Sequence, residues 1–94
     1  MKVRAVVFAP EAEQDPLALY DRIADSASSG VAMGYLSRLK VWLTTFSTAS
    51  ERGTRRNDIR PGLRIIGFER RITVAFTVTH AEVVIQRVFY GGQD

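Results

Sequence analysis

The order of apolar and polar residues along the chain predicts one strand, two helices and then three strands. Residues 2–8 are mostly β-branched and apolar, which predicts a short first strand that ends before Pro10. The middle of the chain carries apolar residues at intervals of three and four, as on one face of a helix. The last third holds three apolar or alternating runs separated by short turns, over residues 63–68, 71–78 and 83–90.

Two prolines and a glycine decide how the first helix is interpreted. Pro10 suits the first position of a helix, whereas Pro16 lacks a donor and crowds the preceding turn. We therefore expect a helix that is kinked at Pro16 or begins there, with Asp15 as its cap. Gly30 should end it in a left-handed conformation. The apolar stripe expected to face the core consists of Leu17, Tyr20, Ile23, Ala24 and Ala27.

The second helix has the strongest helical pattern in the chain and is predicted over about residues 31–48. Three aromatic residues lie in its apolar stripe, and at this spacing they indicate core packing rather than a binding surface. The stripe consists of Ala32, Tyr35, Leu39, Trp42, Leu43 and Phe46. About three residues join the two helices, so we expect an antiparallel helical hairpin.

These elements predict an α+β fold of order βααβββ, in a single domain over residues 1–94. The hairpin returns the chain to the end that it left, so the first strand can join the sheet formed by the last three, which make an antiparallel meander. We expect two layers, with the helical hairpin packed on one face of a mainly antiparallel four-stranded sheet and the other face partly open. Pro61-Gly62 predicts a type II turn before the second strand.

Composition narrows the kind of protein. Hydrophobic residues make up 46% and charged residues 24% of the 94 residues, which is ordinary for a globular domain. No cysteine is present, so we expect neither a disulfide nor a thiolate metal site. The apolar run at residues 5–9 is too short to span a membrane. We therefore expect a soluble cytoplasmic protein with no metal, cofactor or membrane partner.

Basic residues are clustered, although the net charge is only +3. Seven arginines and three acids lie between Glu51 and Arg71, and the chain has eleven arginines against two lysines, Lys2 and Lys40. A planar guanidinium donates to carboxylate and phosphate groups in a fixed geometry, so the bias favours oriented contacts with anions. A solvated charged face, with arginine favoured by codon usage, is the alternative.

The sequence lacks the motifs that identify most enzyme classes. It has no P-loop, dinucleotide fingerprint or metal-ligand cluster, and His80, the one histidine, lies in a predicted hairpin loop. Asp21 and Asp25 share a helix face, where solvation is the ordinary explanation. What remains is an arginine-bearing surface with Tyr90 at its edge, suited to RNA, an acidic peptide or an acidic protein surface. Its arginines are Arg52, Arg55, Arg56, Arg60, Arg64, Arg70, Arg71 and Arg87.

Two of these arginines interrupt apolar strands. The alternation places Arg64 in phase with Ile66, and Arg87 in phase with Ile85 and Phe89. The pattern leaves open which face of the sheet carries each of them.

Several segments resemble the toxins of the RelE/ParE superfamily of bacterial toxin–antitoxin modules, and most of all its ParE-like branch. They are the Glu-Arg-Gly loop at 51–53, the Arg-Pro-Gly-Leu-Arg strand entry at 60–64, the hydrophobic strand at 71–78 and the Ile-x-Arg-Val-Phe-Tyr-Gly-Gly close at 85–92. The Pro-Glu-Ala-Glu opening at 10–13 is also similar to the family's opening. The resemblance covers nearly the whole chain and implies the same βααβββ order.

The resemblance implies the toxin of a type II toxin–antitoxin module, and the superfamily uses two mechanisms. ParE-type toxins block DNA gyrase through protein contacts. RelE-type toxins cut mRNA in the ribosomal A site, where basic side chains position the phosphate. A RelE-like enzyme would use Arg64, Arg87 and Tyr90 here. Arginine is a poor general acid or base, and the lysines of RelE-type enzymes are missing from this region. We therefore favour ParE-like inhibition of DNA gyrase, with a RelE-like mRNA endonuclease as the alternative.

A cognate antitoxin is also implied by the resemblance. Such antitoxins carry a DNA-binding dimerisation part and an acidic tail that folds onto the toxin. The eight arginines named above are the expected partner-binding residues. The toxin would then contact DNA only indirectly, through the antitoxin.

Overall fold

Two helices and five strands make up the part of the chain that the computed structural model describes, residues 3–90. The helices are α1, Pro10–Ser26, and α2, Ser29–Thr44, which continues into a 3-10 turn, Thr45–Ser47. The strands are β1, Ala5–Phe8; β2, Thr54–Arg55; β3, Arg64–Phe68; β4, Ile72–Val78; and β5, Glu82–Tyr90. The α+β class and the order of the major elements are therefore as predicted.

The sheet differs in detail from the four antiparallel strands that the pattern predicts. Its order is β1-β5-β4-β3-β2, and β1 pairs with β5 in parallel, so the sheet is mixed. The fifth strand, β2, lies in the predicted loop and pairs with β3 over two residues only. Two residues are too few to show an alternating pattern, which explains why the sequence did not reveal it. The meander β3-β4-β5 is confirmed.

Helix α1 begins at Pro10 and continues through Pro16, so the predicted late start is wrong. A bend at Pro16 stays a prediction. The predicted core stripe of α1 is also wrong in part, because Leu17 is 70% exposed. The buried positions of α1 are Ala12, Asp15, Leu19 and Ile23. One of these is an acid, and an apolar periodicity search rejects an acid at a core position.

The junction of the two helices depends on Ser28 and not on Gly30. The Ser28 hydroxyl accepts a hydrogen bond of 3.1 Å from the Val31 backbone N–H, so Ser28 caps α2. Gly30 therefore lies in the first turn of α2, and the predicted left-handed conformation at Gly30 is wrong.

The core lies between α2 and the meander, as the aromatic stripe of α2 predicts. Phe46 and Phe76 are fully buried with their ring centroids 4.9 Å apart, edge to face. Trp42 lies over Phe68 with a centroid separation of 4.7 Å. Aromatic side chains from α2 and the 3-10 turn that follows it thus fill the space above β3 and β4 and fix the helical layer on the sheet.

A β-bulge in β5 changes which face its later residues occupy. Ala75 pairs with Arg87 and the next residue, Phe76, pairs with Ile85, so Gln86 is the extra residue. Ile85 faces the helices, whereas Arg87 lies on the open face opposite Ala75. The predicted phase of Arg87 with Ile85 is therefore wrong. Arg64 pairs with Phe76 and lies on the helix-facing side of the sheet.

Candidate partner-binding surface

Arg87 is held in a junction between β5 and α1. Its Nε and one terminal nitrogen donate to the two oxygens of the Asp15 carboxylate, over 2.9 and 3.2 Å. The Val88 backbone N–H donates to the same carboxylate over 2.7 Å. Pairing of β1 with β5 ends at Ile85, so α1 covers the next part of that strand edge. The hydrogen bond to Asp15 raises the pKa of Arg87. The Arg87 side chain therefore stabilises the contact between β5 and α1.

Arg71 and Tyr90 lie at the other end of the predicted surface, among groups that the sequence did not point to. One terminal nitrogen of Arg71 donates to the Tyr90 hydroxyl over 2.9 Å, which raises the pKa of Arg71. The Arg22 guanidinium lies 4.9 Å from the centre of the Tyr90 ring, within cation–π range. Arg22 comes from α1, where its position in an acidic segment gave no sign of this contact.

The turn between β3 and β4 has an unusual backbone that α2 supports. Glu69 and Arg70 have φ values of 50° and 67°, which L side chains rarely adopt. The Tyr35 hydroxyl donates to the Glu69 carbonyl oxygen over 3.0 Å, and Arg38 donates to both Glu69 carboxylate oxygens over 2.8 and 2.9 Å. The Arg38 hydrogen bond lowers the pKa of Glu69, and burial followed by the Glu69 charge raises the pKa of Tyr35. These contacts hold an exposed Arg70 at the tip of the turn.

We call this end of the molecule the tyrosine–arginine patch. It consists of Arg22, Tyr35, Arg38, Glu69, Arg70, Arg71 and Tyr90. Its arginines lie over aromatic rings or bind the patch's own groups, apart from Arg70 at the turn. Tyrosine and arginine are the residue types that dominate the energetics of protein interfaces.

A concave site, which we call the arginine basin, lies near the other end of β3 and β4. It has a volume of about 380 Å³. Arg4 donates from Nε to the Thr79 carbonyl oxygen and from a terminal nitrogen to the buried Ser50 hydroxyl, each over 2.7 Å. Arg64 donates to the Arg52 carbonyl oxygen over 3.3 Å. The basin is lined by Arg4, Glu51, Arg55, Asn57, Gly62, Arg64, Val78, Thr79 and His80.

Two glycines shape the loop that borders the basin. Gly62 has a φ of 78°, as the predicted type II turn at Pro61-Gly62 requires, and Leu63 N–H donates to the Arg60 carbonyl oxygen over 3.0 Å. Gly53 has a φ of 79° and lies so close to β3 that a Cβ would collide with the Ile65 carbonyl oxygen. The loop before β2 is therefore fixed against the sheet.

The remaining predicted arginines have local partners. Arg56 forms a two-bonded pair with Asp58, with both hydrogen bonds at 3.0 Å, which lowers the pKa of Asp58. The Arg52 guanidinium lies 4.5 Å from the centre of the Phe46 ring. Arg60 donates to Gln86 over 3.4 Å. The structure thus brings Arg55 and Arg64 together in the basin, and Arg70 and Arg71 in the patch.

Arg64, Arg87 and Tyr90 are not brought together. Tyr90 pairs with Ile72 and Arg64 with Phe76, four residues apart on β4, which is roughly 13 Å along a strand. Arg87 lies on the other face and binds Asp15. Arg4, which shares the basin with Arg64, was missed because it precedes β1 and lies far from the cluster in sequence.

Within residues 3–90, no three His, Cys, Asp or Glu side chains are grouped closely enough to hold a metal ion. Of the helices in that range, none has the length and hydropathy needed to cross a membrane. The Gly91-Gly92 end of the C-terminal motif lies outside the described residues, as does Lys2.

Comparison with solved structures places this geometry among known folds. No protein-family model matches the sequence, and no curated protein matches it. A chain of the chromosomal ParDE TA system of P. aeruginosa superposes with a TM-score of 0.80, at 20% identity, over 95% of this chain and 97% of that one. A chain of the RelBE2 toxin–antitoxin complex of Mycobacterium tuberculosis superposes with a TM-score of 0.67, at 18% identity, over 99% and 97%. The chain therefore shares its fold with chains of these two toxin–antitoxin complexes.

Proposed function

We propose that the chain is the toxin of a type II toxin–antitoxin module, and that it acts in the ParE-like manner, by binding DNA gyrase in the cytoplasm. The observation that carries the choice of mechanism is the separation of Arg64, Arg87 and Tyr90, the set that a RelE-like mRNA endonuclease would use. In-line attack on a phosphate needs cations and a proton donor that all lie within hydrogen-bond reach of the reacting atoms of the substrate.

The surface chemistry supports action through protein contacts. The tyrosine–arginine patch presents guanidinium groups that are already oriented by Tyr35, Tyr90 and Glu69. Ordering a long side chain on binding costs conformational entropy, and groups that are already ordered avoid much of that cost. Arg70 and Arg71 are the members of this patch that the sequence assigned to partner binding.

An antitoxin has a separate surface available on the helical side. An apolar groove of about 320 Å³ lies between the two helices and β5, lined by Phe8, Pro16, Leu36, Leu39, Lys40, Leu43 and Val88. Leu17 and Val41 are 70% and 68% exposed and add apolar surface on the two helices. An amphipathic acidic tail would bury its apolar face there and direct its acids towards arginines. Contact with DNA would then be made by the antitoxin.

A supercoiling assay tests the gyrase proposal. Purified chain is added to DNA gyrase, relaxed plasmid and ATP, with and without the protein encoded by the neighbouring short reading frame. We expect loss of supercoiling that the neighbour reverses, and a DNA damage response when the chain is expressed. Full supercoiling activity at a large excess of chain, together with no damage response, would contradict the proposal.

One observation favours a second candidate, an mRNA endonuclease. His80 lines the arginine basin together with Arg4 and Arg64, so a side chain able to transfer a proton lies beside cations. This set differs from the one that the family resemblance implies. The test is mapping of mRNA ends after expression of the wild type and of His80→Gln. Cleavage in translated mRNA that disappears in the variant would support the endonuclease and displace the gyrase proposal.

A further inference from the structure

The arginine basin concentrates positive charge from separate parts of the chain. Arg4 precedes β1, Arg55 ends β2 and Arg64 begins β3, and all three side chains line one cavity of about 380 Å³. Glu51 is the one acid among the lining residues. The three arginines and Glu51 together therefore carry a net charge of about +2.

The basin is also organised before any ligand arrives. Arg4 is fixed by Thr79 and by the buried Ser50, and Arg64 is fixed by the Arg52 carbonyl oxygen. Each of these bonds uses only part of a guanidinium, which has five N–H donors in all. Arg55 is exposed, and no hydrogen bond or ion pair of its side chain occurs within residues 3–90. Donors that remain open on a fixed frame favour a carboxylate or a phosphate.

The sheet edge beside the basin favours an extended peptide. β2 is the last strand in the sheet order, and both its residues, Thr54 and Arg55, are exposed. An open strand edge pairs readily with an added chain, whose alternate side chains then point to one face. Arg55 pairs with Arg64, so both lie on the face of the sheet that carries the basin.

Two features argue against a nucleic acid in the basin. Glu51 would place a negative charge against a continuous phosphate backbone. The neighbouring Arg56 is already paired with Asp58, so the basic surface is interrupted beyond the cavity. A nucleic acid needs a basic track along its whole backbone, whereas a peptide needs complementary charge only at its acidic side chains.

We infer that the arginine basin binds the carboxylate side chains of an extended acidic peptide segment that adds to the edge of β2. The inference rests on the proposed function only in that the chain works by binding protein partners. It assigns the basin an occupant separate from the apolar groove and from the tyrosine–arginine patch.

Fluorescence anisotropy with a labelled peptide of alternating glutamate and valine tests the inference. Arg55→Gln should weaken binding about fivefold or more, because it removes a charge-assisted contact. Arg70→Gln is the matched control, since it removes the same charge from another exposed arginine, at the far end of β3, and should change binding less than about twofold. Glu51→Gln should strengthen binding. Equal weakening by Arg55→Gln and Arg70→Gln would show that only net charge matters and would overturn the inference.

Two further probes distinguish the other ligands. The same peptide with glutamine in place of glutamate should bind at least about tenfold more weakly, since neutral hydrogen bonds are weaker than charge-assisted ones. A uridine oligonucleotide with the same number of charges should bind more weakly than the acidic peptide. If it binds more tightly, and Arg55→Gln abolishes that binding, the basin is an RNA site and the inference fails.

Backbone amide shifts locate the peptide and separate this inference from the gyrase proposal. We expect shifts at Thr54, Gly62, Thr79 and His80 when the acidic peptide is added, and none at the β3–β4 turn. Shifts confined to the turn would overturn the inference. If the chain fails to inhibit gyrase but shows the basin shifts, the gyrase proposal fails and the basin inference stands. If the chain inhibits gyrase but shows no basin shifts, only the basin inference fails.

Discussion

Arg87 and Arg55 both lie in strands of one sheet, yet they serve opposite purposes. Arg87 binds a buried carboxylate on α1, 72 residues away in sequence, and helps close the edge of β5. Arg55 is exposed on an edge strand beside an open cavity. The difference lies in the partner and not in the local sequence. An arginine in a strand is therefore a candidate for binding only after its contacts within the fold have been accounted for.

The largest effect is expected from a substitution that removes the contacts of Arg87 within the fold. Asp15→Ala removes the acceptor of three hydrogen bonds, two from Arg87 and one from the Val88 backbone N–H. The unsatisfied Val88 group and unpaired Arg87 should lower the free energy of unfolding by about 2–3 kcal/mol. Urea denaturation measures the loss. Arg55→Ala is the control and should stay within about 0.5 kcal/mol of wild type. Similar losses in both variants would refute the distinction.

The second prediction concerns the loop that borders the arginine basin, where Arg55 lies. Gly53→Ala should cost about 2 kcal/mol, because the residue is left-handed and its Cβ would collide with Ile65. Gly62→Ala has nearly the same φ but would place its Cβ in open space, so it should cost only about 1 kcal/mol. Thermal denaturation of the two variants compares them. An equal cost at both positions would show that the loop is not tightly fixed against β3.

The third prediction separates stability from binding at the tyrosine–arginine patch. Arg70→Gly relieves a left-handed backbone at φ 67°, offset by the entropy that glycine adds to the unfolded chain. We expect a gain of about 0.5 kcal/mol in the free energy of unfolding. If the patch binds gyrase, the more stable variant should inhibit supercoiling less well. A loss of stability would mean that the Arg70 side chain makes a contact that the fold needs.

The smallest effect is a pH dependence at the same turn. The Arg38 hydrogen bond lowers the pKa of Glu69 below its ordinary value of 4.5. The pair therefore stabilises the fold fully above that value, and its contribution is lost as the pH falls through the lower pKa of the folded state. Between pH 7 and pH 3 the wild type should lose slightly more stability than Arg38→Gln. Identical losses would show that solvent screens the pair completely.

Periodicity predicted those parts of the fold in which apolar burial is regular. It identified α2, its aromatic stripe and the β-meander, since Phe46, Phe76 and their neighbours recur at the spacing of a helix or a strand. It failed for α1, where buried Asp15 interrupts the apolar stripe and Leu17 on the surface imitates it. It could not reveal β2, because two residues have no period.

The sequence predicted that the candidate site is rich in arginine, but not how its residues are arranged in space. The arginine cluster is visible in the sequence, whereas its division into a basin and a patch depends on strand register. Arg4, Arg22 and Arg38 join these sites from distant segments, and only tertiary contacts reveal them. Neither charge clustering nor spacing carries that information, because each is a property of neighbours along the chain.

Gln86 shows how one residue can reverse a surface. Without the bulge, strict alternation would turn Arg87 and Phe89 towards the helices and Val88 towards solvent. Because the bulge accommodates Gln86 as an extra residue, deleting Gln86 would restore strict alternation and leave Arg87 on the open face and Val88 towards the helices. A relative that lacks this one residue and has no bulge would therefore carry the equivalent arginine on the same face, whereas one that keeps all the residues but loses the bulge would carry it on the opposite face.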